Sequence, residues 1–257
     1  MVNTPPVELV TIPCLSDNYA YLLHNPDTDE TALIDAPEAA PIAKVLSDRG
    51  WALSDILITH HHPDHIDGVA ALRPGARVIG AKADAHRLPP LDLEVREGDQ
   101  LTVCGLSTDV IDVSGHTIGH IAFHMPGAGY AFTADSLMAM GCGRLFEGTP
   151  AQMWASLCKL RALPENTMIC SGHEYTAANA RFAASLDGAN PDLILRIKGI
   201  ETARAAGQPT VPSSLQEEKR TNPFLRADVP DFKAVMGMQD ASDVDVFAKV
   251  RALKDKF

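Results

Sequence analysis

A chain of 257 residues, 46% apolar and 21% charged, can hold one large domain or a domain with a smaller partner, and its make-up is that of an ordinary globular protein. Its formal net charge of −11 argues against nucleic-acid binding, which needs a basic surface to neutralise phosphate, and no apolar run approaches the length of a membrane span. The same charge repels anionic ligands at long range, so a binder of acidic substrates has to carry a local cationic patch.

Read in chain order, the opening MVNTPPVELV has neither a basic nor a long apolar stretch, and the expectation is no signal peptide and a cytoplasmic location. Short strands are expected at 7–12, 19–24, 31–35, 56–59, 77–79, 100–103, 110–113, 120–124 and 168–170, where brief apolar or alternating runs end in turn residues. Helical spacing covers 37–49, 64–72 and 150–162. After His173 the texture becomes alanine-rich, and helices are expected over 174–186 and 192–206. Ser214-Leu215-Gln216-Glu217 has the form of a capping box, and a last helix over 241–256 places Val244, Phe247, Val250 and Leu253 on one face. The residues alone give an α plus β class with a helical C-terminal domain starting near residue 174. Cys14, Cys104, Cys142, Cys158 and Cys170, odd in number and without CxxC spacing, are expected to be reduced.

The chemistry concentrates at Thr59-His60-His61-His62-Pro63-Asp64-His65, behind the apolar run ending at Thr59. Imidazole nitrogens and carboxylate oxygens are the donors that borderline divalent metals prefer. In an extended loop His60 and His62 point the same way, while Asp64 and His65 follow the Pro63 turn and face elsewhere. Two ligands on each side of a turn suggest two ions; the competing reading, a His-rich surface tract, fits poorly behind an apolar strand. Three more strand ends carry similar residues: Val113-Ser114-Gly115-His116, Ala131-Phe132-Thr133-Ala134-Asp135 and Ile169-Cys170-Ser171-Gly172-His173. Asp135 could instead cap a helix starting at Ser136. His61 reads as a neighbour of the ligands or an outward residue, and His120 and His124 as core or surface histidines. Asp35 could cap a turn or hold a ligand histidine.

THHHPDH with the later SGH, TAD and SGHEYT segments resembles the metallo-β-lactamase superfamily. Cys14 to Tyr19, Gly141-Cys142-Gly143-Arg144, His173-Glu174-Tyr175-Thr176, Asn222-Pro223-Phe224-Leu225-Arg226 and the terminal Val250 to Phe257 resemble its glyoxalase II branch, the hydroxyacylglutathione hydrolases. The resemblance implies an α+β, four-layer αββα sandwich as catalytic domain, 1–173, and a helical substrate-binding domain, 174–257. It implies two divalent ions, zinc first, with iron or manganese as alternatives. His60, His62 and His116 would hold one, Asp64, His65 and His173 the other, with Asp135 between them. A hydroxide bridging the ions, oriented by Asp64, would attack the thioester of S-D-lactoylglutathione, releasing glutathione and D-lactate. Arg144, Tyr175, Arg251 and Lys254 would contact the glutathione portion; Phe146 departs from relatives that carry tyrosine there. The partner is thus a small glutathione thioester, with no nucleic acid and no membrane, and the chain is expected to be a monomer. The alternatives are another hydrolase of the fold (a β-lactamase or lactonase), an iron-dependent glutathione persulfide dioxygenase, and a metal-storage module, which would favour sulfur-rich sites.

Overall fold

A computed structural model of the protein describes residues 7–257; the reading of the N-terminal leader falls largely on residues 1–6, outside the described residues. The chain packs as two compact units, one running up to Val113 and adding Ile118–Ala134, the other made of Ser114–Thr117 and Asp135–Phe257.

In the first unit, β1 (Glu8–Cys14), β2 (Asn18–Asn25) and β3 (Glu30–Ile34) form an antiparallel meander. β2 is buried along its whole length, which accounts for the unbroken run Tyr19 to Leu23. β4 (Asp55–Leu57), β5 (Arg77–Ala81) and β6 (Leu93–Val95) then add in parallel to β3, in that order. Parallel neighbours need crossovers, supplied by α1 (Ala39–Arg49) and by the short α2 (Pro63–Ile66) and α3 (Val69–Leu72). Ile42 and Leu46 of α1 pack on Leu33, Ile56, Ile58 and Val78 in one core cluster; each such burial stabilises by about 1.5–3 kcal/mol. A second antiparallel set follows: β7 (Gln100–Val103), β8 (Leu106–Asp112), β9 (Ile121–Met125) and β10 (Tyr130–Ala134).

The helix expected over 64–72 is interrupted at Asp67-Gly68. Gly68 N–H donates to Ala36 O at 2.8 Å, and a Cβ at this glycine would lie 2.9 Å from the same oxygen. The break lets the histidine loop press against the end of β3. Strand β6 escaped the reading because it is three residues long with Glu94 exposed.

The second unit opens with a tight hairpin, β11 (Leu137–Met138) and β12 (Gly141–Cys142). No helix starts at Ser136, so Asp135 is not an N-cap. The unit continues with α4 (Pro150–Arg161), β13 (Met168–Ser171), α5 (Thr176–Asp187), α6 (Pro191–Ala205), β14 (Ser213–Ser214), α7 (Leu215–Thr221), α8 (Pro230–Val235) and α9 (Asp243–Lys254). A reciprocal capping box forms at Thr149 and Gln152. The one expected at Ser214 forms only by half: Ser214 Oγ accepts from Glu217 N, while the Glu217 carboxylate pairs with Arg196.

The hairpin is held from α7. Asn222 Nδ2 donates to Met138 O (3.2 Å), Gly141 O (3.0 Å) and Glu218 Oε2 (3.1 Å), and Met140 N donates to Glu218 Oε2 (2.9 Å). The buried face of α9 is Val246, Phe247, Val250 and Arg251, rotated from the expected set. The reason is Arg251, whose Nη1 donates to Cys142 O at 2.9 Å and whose guanidinium lies over Phe224. Among the described residues no helix is long and apolar enough to cross a membrane.

Candidate functional site

The first unit brings four of the expected donors together. His60, fully buried, and His62 face each other with Nε2 and Nδ1 3.1 Å apart. Two nitrogens each 2.0–2.1 Å from one tetrahedral ion would sit about 3.3 Å apart, so the spacing fits a shared ion. His65, also fully buried, lies 3.8 Å by Nε2 from Asp64 Oδ2.

These rings are oriented from behind. Asp35, buried at the end of β3 with φ +54°, places Oδ2 2.8 Å from both His65 Nδ1 and Thr59 Oγ1, and its Oδ1 accepts from Thr59 N at 2.8 Å. Thr59 Oγ1 donates to Asp35 and so accepts from His60 Nδ1 at 3.0 Å. One carboxylate thereby puts the Nδ1 proton on both histidines and leaves both Nε2 lone pairs for a metal. Of the two readings of Asp35, the one that holds a ligand histidine is the one the geometry supports. Asn18 Nδ2 donates to Asp64 Oδ2 (3.0 Å) and Asp64 O (3.1 Å), a support the sequence offered only as part of a longer motif.

The second unit gathers His116, His173 and Asp135. Each carboxylate oxygen of Asp135 faces a different histidine: Oδ2 is 3.4 Å from His116 Nε2, and Oδ1 is 3.4 Å from His173 Nε2. That spacing is too long for a good hydrogen bond and close to the separation of two co-ligands on one ion. His116 Nδ1 donates to Arg144 O at 2.8 Å, which leaves Nε2 on the Asp135 side. Gly143 N donates to Asp135 O, and a Cβ at Gly143 would stand 2.2 Å from that oxygen and 2.7 Å from His116 Nδ1, so only glycine fits. His173 stacks on Tyr175 with ring centres 4.7 Å apart and planes 5° from parallel.

The cations of this unit also collect. The Lys254 amine lies 5.3 Å from the Phe182 ring centre and 5.5 Å from that of Phe257. Burial, then repulsion from Arg251, Arg181 and Arg144, lowers its pKa from the ordinary lysine value. Arg251 is tied up by Cys142 O and the Asp255 carboxylate. Arg181, in α5, is a member of this cluster that the sequence reading did not name. Burial pushes the Cys142 thiol up to about 11, with Arg251 opposing, so it is no nucleophile at neutral pH. His120, read as a core or surface histidine, stacks on His60 at 4.5 Å and 12°.

Residues 16–173 match the family model described as the metallo-beta-lactamase superfamily, and residues 174–257 the one described as the hydroxyacylglutathione hydrolase C-terminus. A hydroxyacylglutathione hydrolase of Jannaschia sp. (strain CCS1) is 63% identical over 252 residues, covering 97% of this chain and 98% of its own length. One of Ruegeria pomeroyi is 62% identical over 254 residues, covering 98% and 100%. Among solved structures, the BLEG-1 B3 metallo-beta-lactamase shares the fold at a TM-score of 0.66, with 22% identity and coverage of 85% and 99%. ETHE1 from Myxococcus xanthus does so at 0.62, with 24% identity and 96% of each chain. The chain belongs to the hydroxyacylglutathione hydrolase family of the metallo-β-lactamase superfamily.

Proposed function

We propose that this protein is a binuclear metal-dependent thioester hydrolase that converts S-D-lactoylglutathione and related 2-hydroxyacylglutathiones to glutathione and the free hydroxy acid. Relatives named for that activity, above 60% identical and matched over nearly their whole length, support the substrate. His60, His62 and His116 are assigned to one ion and Asp64, His65 and His173 to the other, with Asp135 as the carboxylate that would serve both; the mix of imidazole and carboxylate donors supports the assignment. Bound ions would acidify a water to a pKa of about 7 and polarise the thioester carbonyl. A donor set of nitrogen and oxygen without sulfur fits zinc, iron or manganese, with zinc the first choice.

The protein's own side chains do the positioning. Asp35 keeps His60 and His65 in the ligating tautomer, and Arg144 O does so for His116. Asp64, steadied by Asn18, would orient the attacking water. Lys254, Arg144 and Tyr175, with Arg251 behind them, are assigned to the carboxylates and backbone of the glutathione moiety. The leaving group is a thiolate whose conjugate acid has a pKa of about 8.5, so departure needs no proton donor. The two sheets are read as the inner layers of an αββα sandwich. The catalytic domain is read as 1–173 and the helical substrate-binding domain as 174–257, where the two family models divide the chain. Five free cysteines, four of them buried, support the reading of a reducing cytoplasm, and the chain is read as a monomer.

The observation that carries the reading is Asp135, with one oxygen turned to each of two histidines. The test measures metal per chain together with loss of the S-D-lactoylglutathione thioester absorbance. Two metals and rapid turnover are expected; two metals without turnover, but with oxygen uptake on glutathione persulfide, would replace the hydrolase by a dioxygenase.

A further inference from the structure

One part of the first unit grips the histidine loop without offering it a metal donor. His61, between His60 and His62, sets Nδ1 3.0 Å from Asp84 Oδ2. The other oxygen of Asp84 accepts from Arg87 twice, from Nε at 3.1 Å and from Nη2. Asp84 is 2% exposed, and its remaining side is closed by Gly119. A Cβ there would stand 2.1 Å from the Asp84 carboxyl carbon and 2.4 and 2.5 Å from its oxygens, so the carboxylate occupies space that any other residue would fill. The next residue, His120, is the ring stacked on His60.

Backbone bonds tie Ile58 N to Ile79 O (2.8 Å) and Thr59 O to Ile121 N (3.0 Å), but His60, His61 and His62 belong to neither helix nor strand. Three adjacent imidazoles in such a loop have rotamer freedom that metal binding must remove, and affinity suffers unless the loop is ordered beforehand. A carboxylate this deeply buried is retained only with partners on its oxygens, and here the partners are the loop and the arginine that braces it.

We propose that Asp84, held by Arg87 and admitted by Gly119, is a positioning residue for the metal loop. It acts through His61 to fix the backbone between His60 and His62, so that their nitrogens keep the 3.1 Å spacing one ion needs. The inference rests on the metal reading of the loop and adds to it the device that pre-forms the site.

The test uses the metal-loaded protein and follows removal of zinc by a chromophoric chelator, alongside metal per chain and thermal melting of the stripped protein. Asp84→Ala and His61→Ala should release metal about 10–100-fold faster than wild type, the range typical of lost outer partners. Gly119→Ala, which evicts the carboxylate while leaving every donor in place, should behave like Asp84→Ala. His61→Asn keeps an N–H near the Nδ1 position and should return release to within about threefold of wild type. A purely structural role would lower the melting point of the stripped protein with metal release unchanged. Wild-type release in Asp84→Ala, or equal release from His61→Asn and His61→Ala, overturns the proposal. Should Asp84→Ala fail to fold, Asp84→Asn, whose amide nitrogen faces His61, is judged by the same criteria. A wild-type protein that holds no metal would instead sink the metal reading itself.

Discussion

Asp35→Asn isolates the tautomer argument. The side chain is 3% exposed, and asparagine matches it in shape and tolerates the native φ of +54°, so neither a cavity nor backbone strain confounds the result. The amide can sit in only one orientation, because Oδ1 must go on accepting from Thr59 N at 2.8 Å. Its NH2 therefore replaces Oδ2, against His65 Nδ1 and Thr59 Oγ1. His65 must then accept at Nδ1, which moves its proton to Nε2, the nitrogen facing Asp64. Thr59 loses the acceptor for its hydroxyl and with it the arrangement that keeps the proton on His60 Nδ1. Keeping the ligating tautomer instead forfeits a charge-assisted hydrogen bond, worth about 1.5–3 kcal/mol. Metal affinity should fall about 10–150-fold, since each 1.4 kcal/mol is a factor of ten. Competition against a chromophoric chelator measures this, with melting of the stripped protein as control. Metal affinity within about twofold of wild type would refute the assignment of Asp35 as the group that sets both tautomers.

In Lys254→Met, KM for the glutathione thioester should rise about tenfold or more with kcat little changed, because a uniform binding contact is lost. Deprotonation of Lys254 removes a cation, so wild-type KM should climb as pH rises through its lowered pKa, whereas Lys254→Met should show no such climb. Arg161 binds the Asp228 carboxylate through both Nη atoms and holds its pKa below the usual range. That pair contributes stability above the pKa of an unfolded carboxyl and loses it as pH falls through the lower folded value. The Tm deficit of Asp228→Asn should therefore be full at neutral pH and shrink as pH falls below about 4, the ordinary range of an unfolded carboxyl. Glu218 is fully buried and accepts from Arg196, Ser213, Met140 and Asn222. Glu218→Ala takes from Arg196 its buried carboxylate, leaving it with Glu217 and Thr221, and frees the hairpin beside Asp135; it should cost about 3 kcal/mol in urea unfolding.

The residues proposed as donors could be singled out in the sequence because each of His60, His116, Asp135 and His173 follows a short apolar strand, where a carboxylate or imidazole has little structural reason to exist. Most of the longer helices were legible too, since 3.6-residue spacing and proline or glycine punctuation survive in any context, but α8 was not foreseen and the helix over 64–72 breaks in two. The supports of the site were not. Asn18, Thr59 and Asp84 are 46, 24 and 23 residues from the partners they hold, and nothing in local spacing encodes such a pairing. Arg251 shows the same limit from the other side: helical periodicity puts a cation on an exposed face, and only the nearby Cys142 carbonyl and Asp255 make burying it tolerable. Hairpin β11–β12 was missed because two-residue strands carry no pattern; its shape comes from Asn222 and Glu218, some 80 residues further along.

Asp35 and Asp135 make the distinction sharpest. Both follow an apolar strand, in ALID and FTAD, both are buried, and both lie beside histidines. Sequence spacing cannot separate them, but distance does. Asp35 meets His65 at 2.8 Å, where nitrogen and oxygen share a proton, and accepts two more hydrogen bonds from Thr59. Asp135 stands 3.4 Å from each of two histidines, beyond a strong hydrogen bond and at the separation of neighbouring ligands on an ion. A carboxylate that shares protons is suited to orient a ligand; one that keeps its distance from two imidazoles is suited to be the ligand we propose. The two aspartates should therefore fail differently. Asp135→Asn should lower the number of metals held per chain, whereas Asp35→Asn should weaken their hold without changing the number bound at saturation. Metal content measured across a titration separates the two, and identical behaviour of the variants would contradict the assignment.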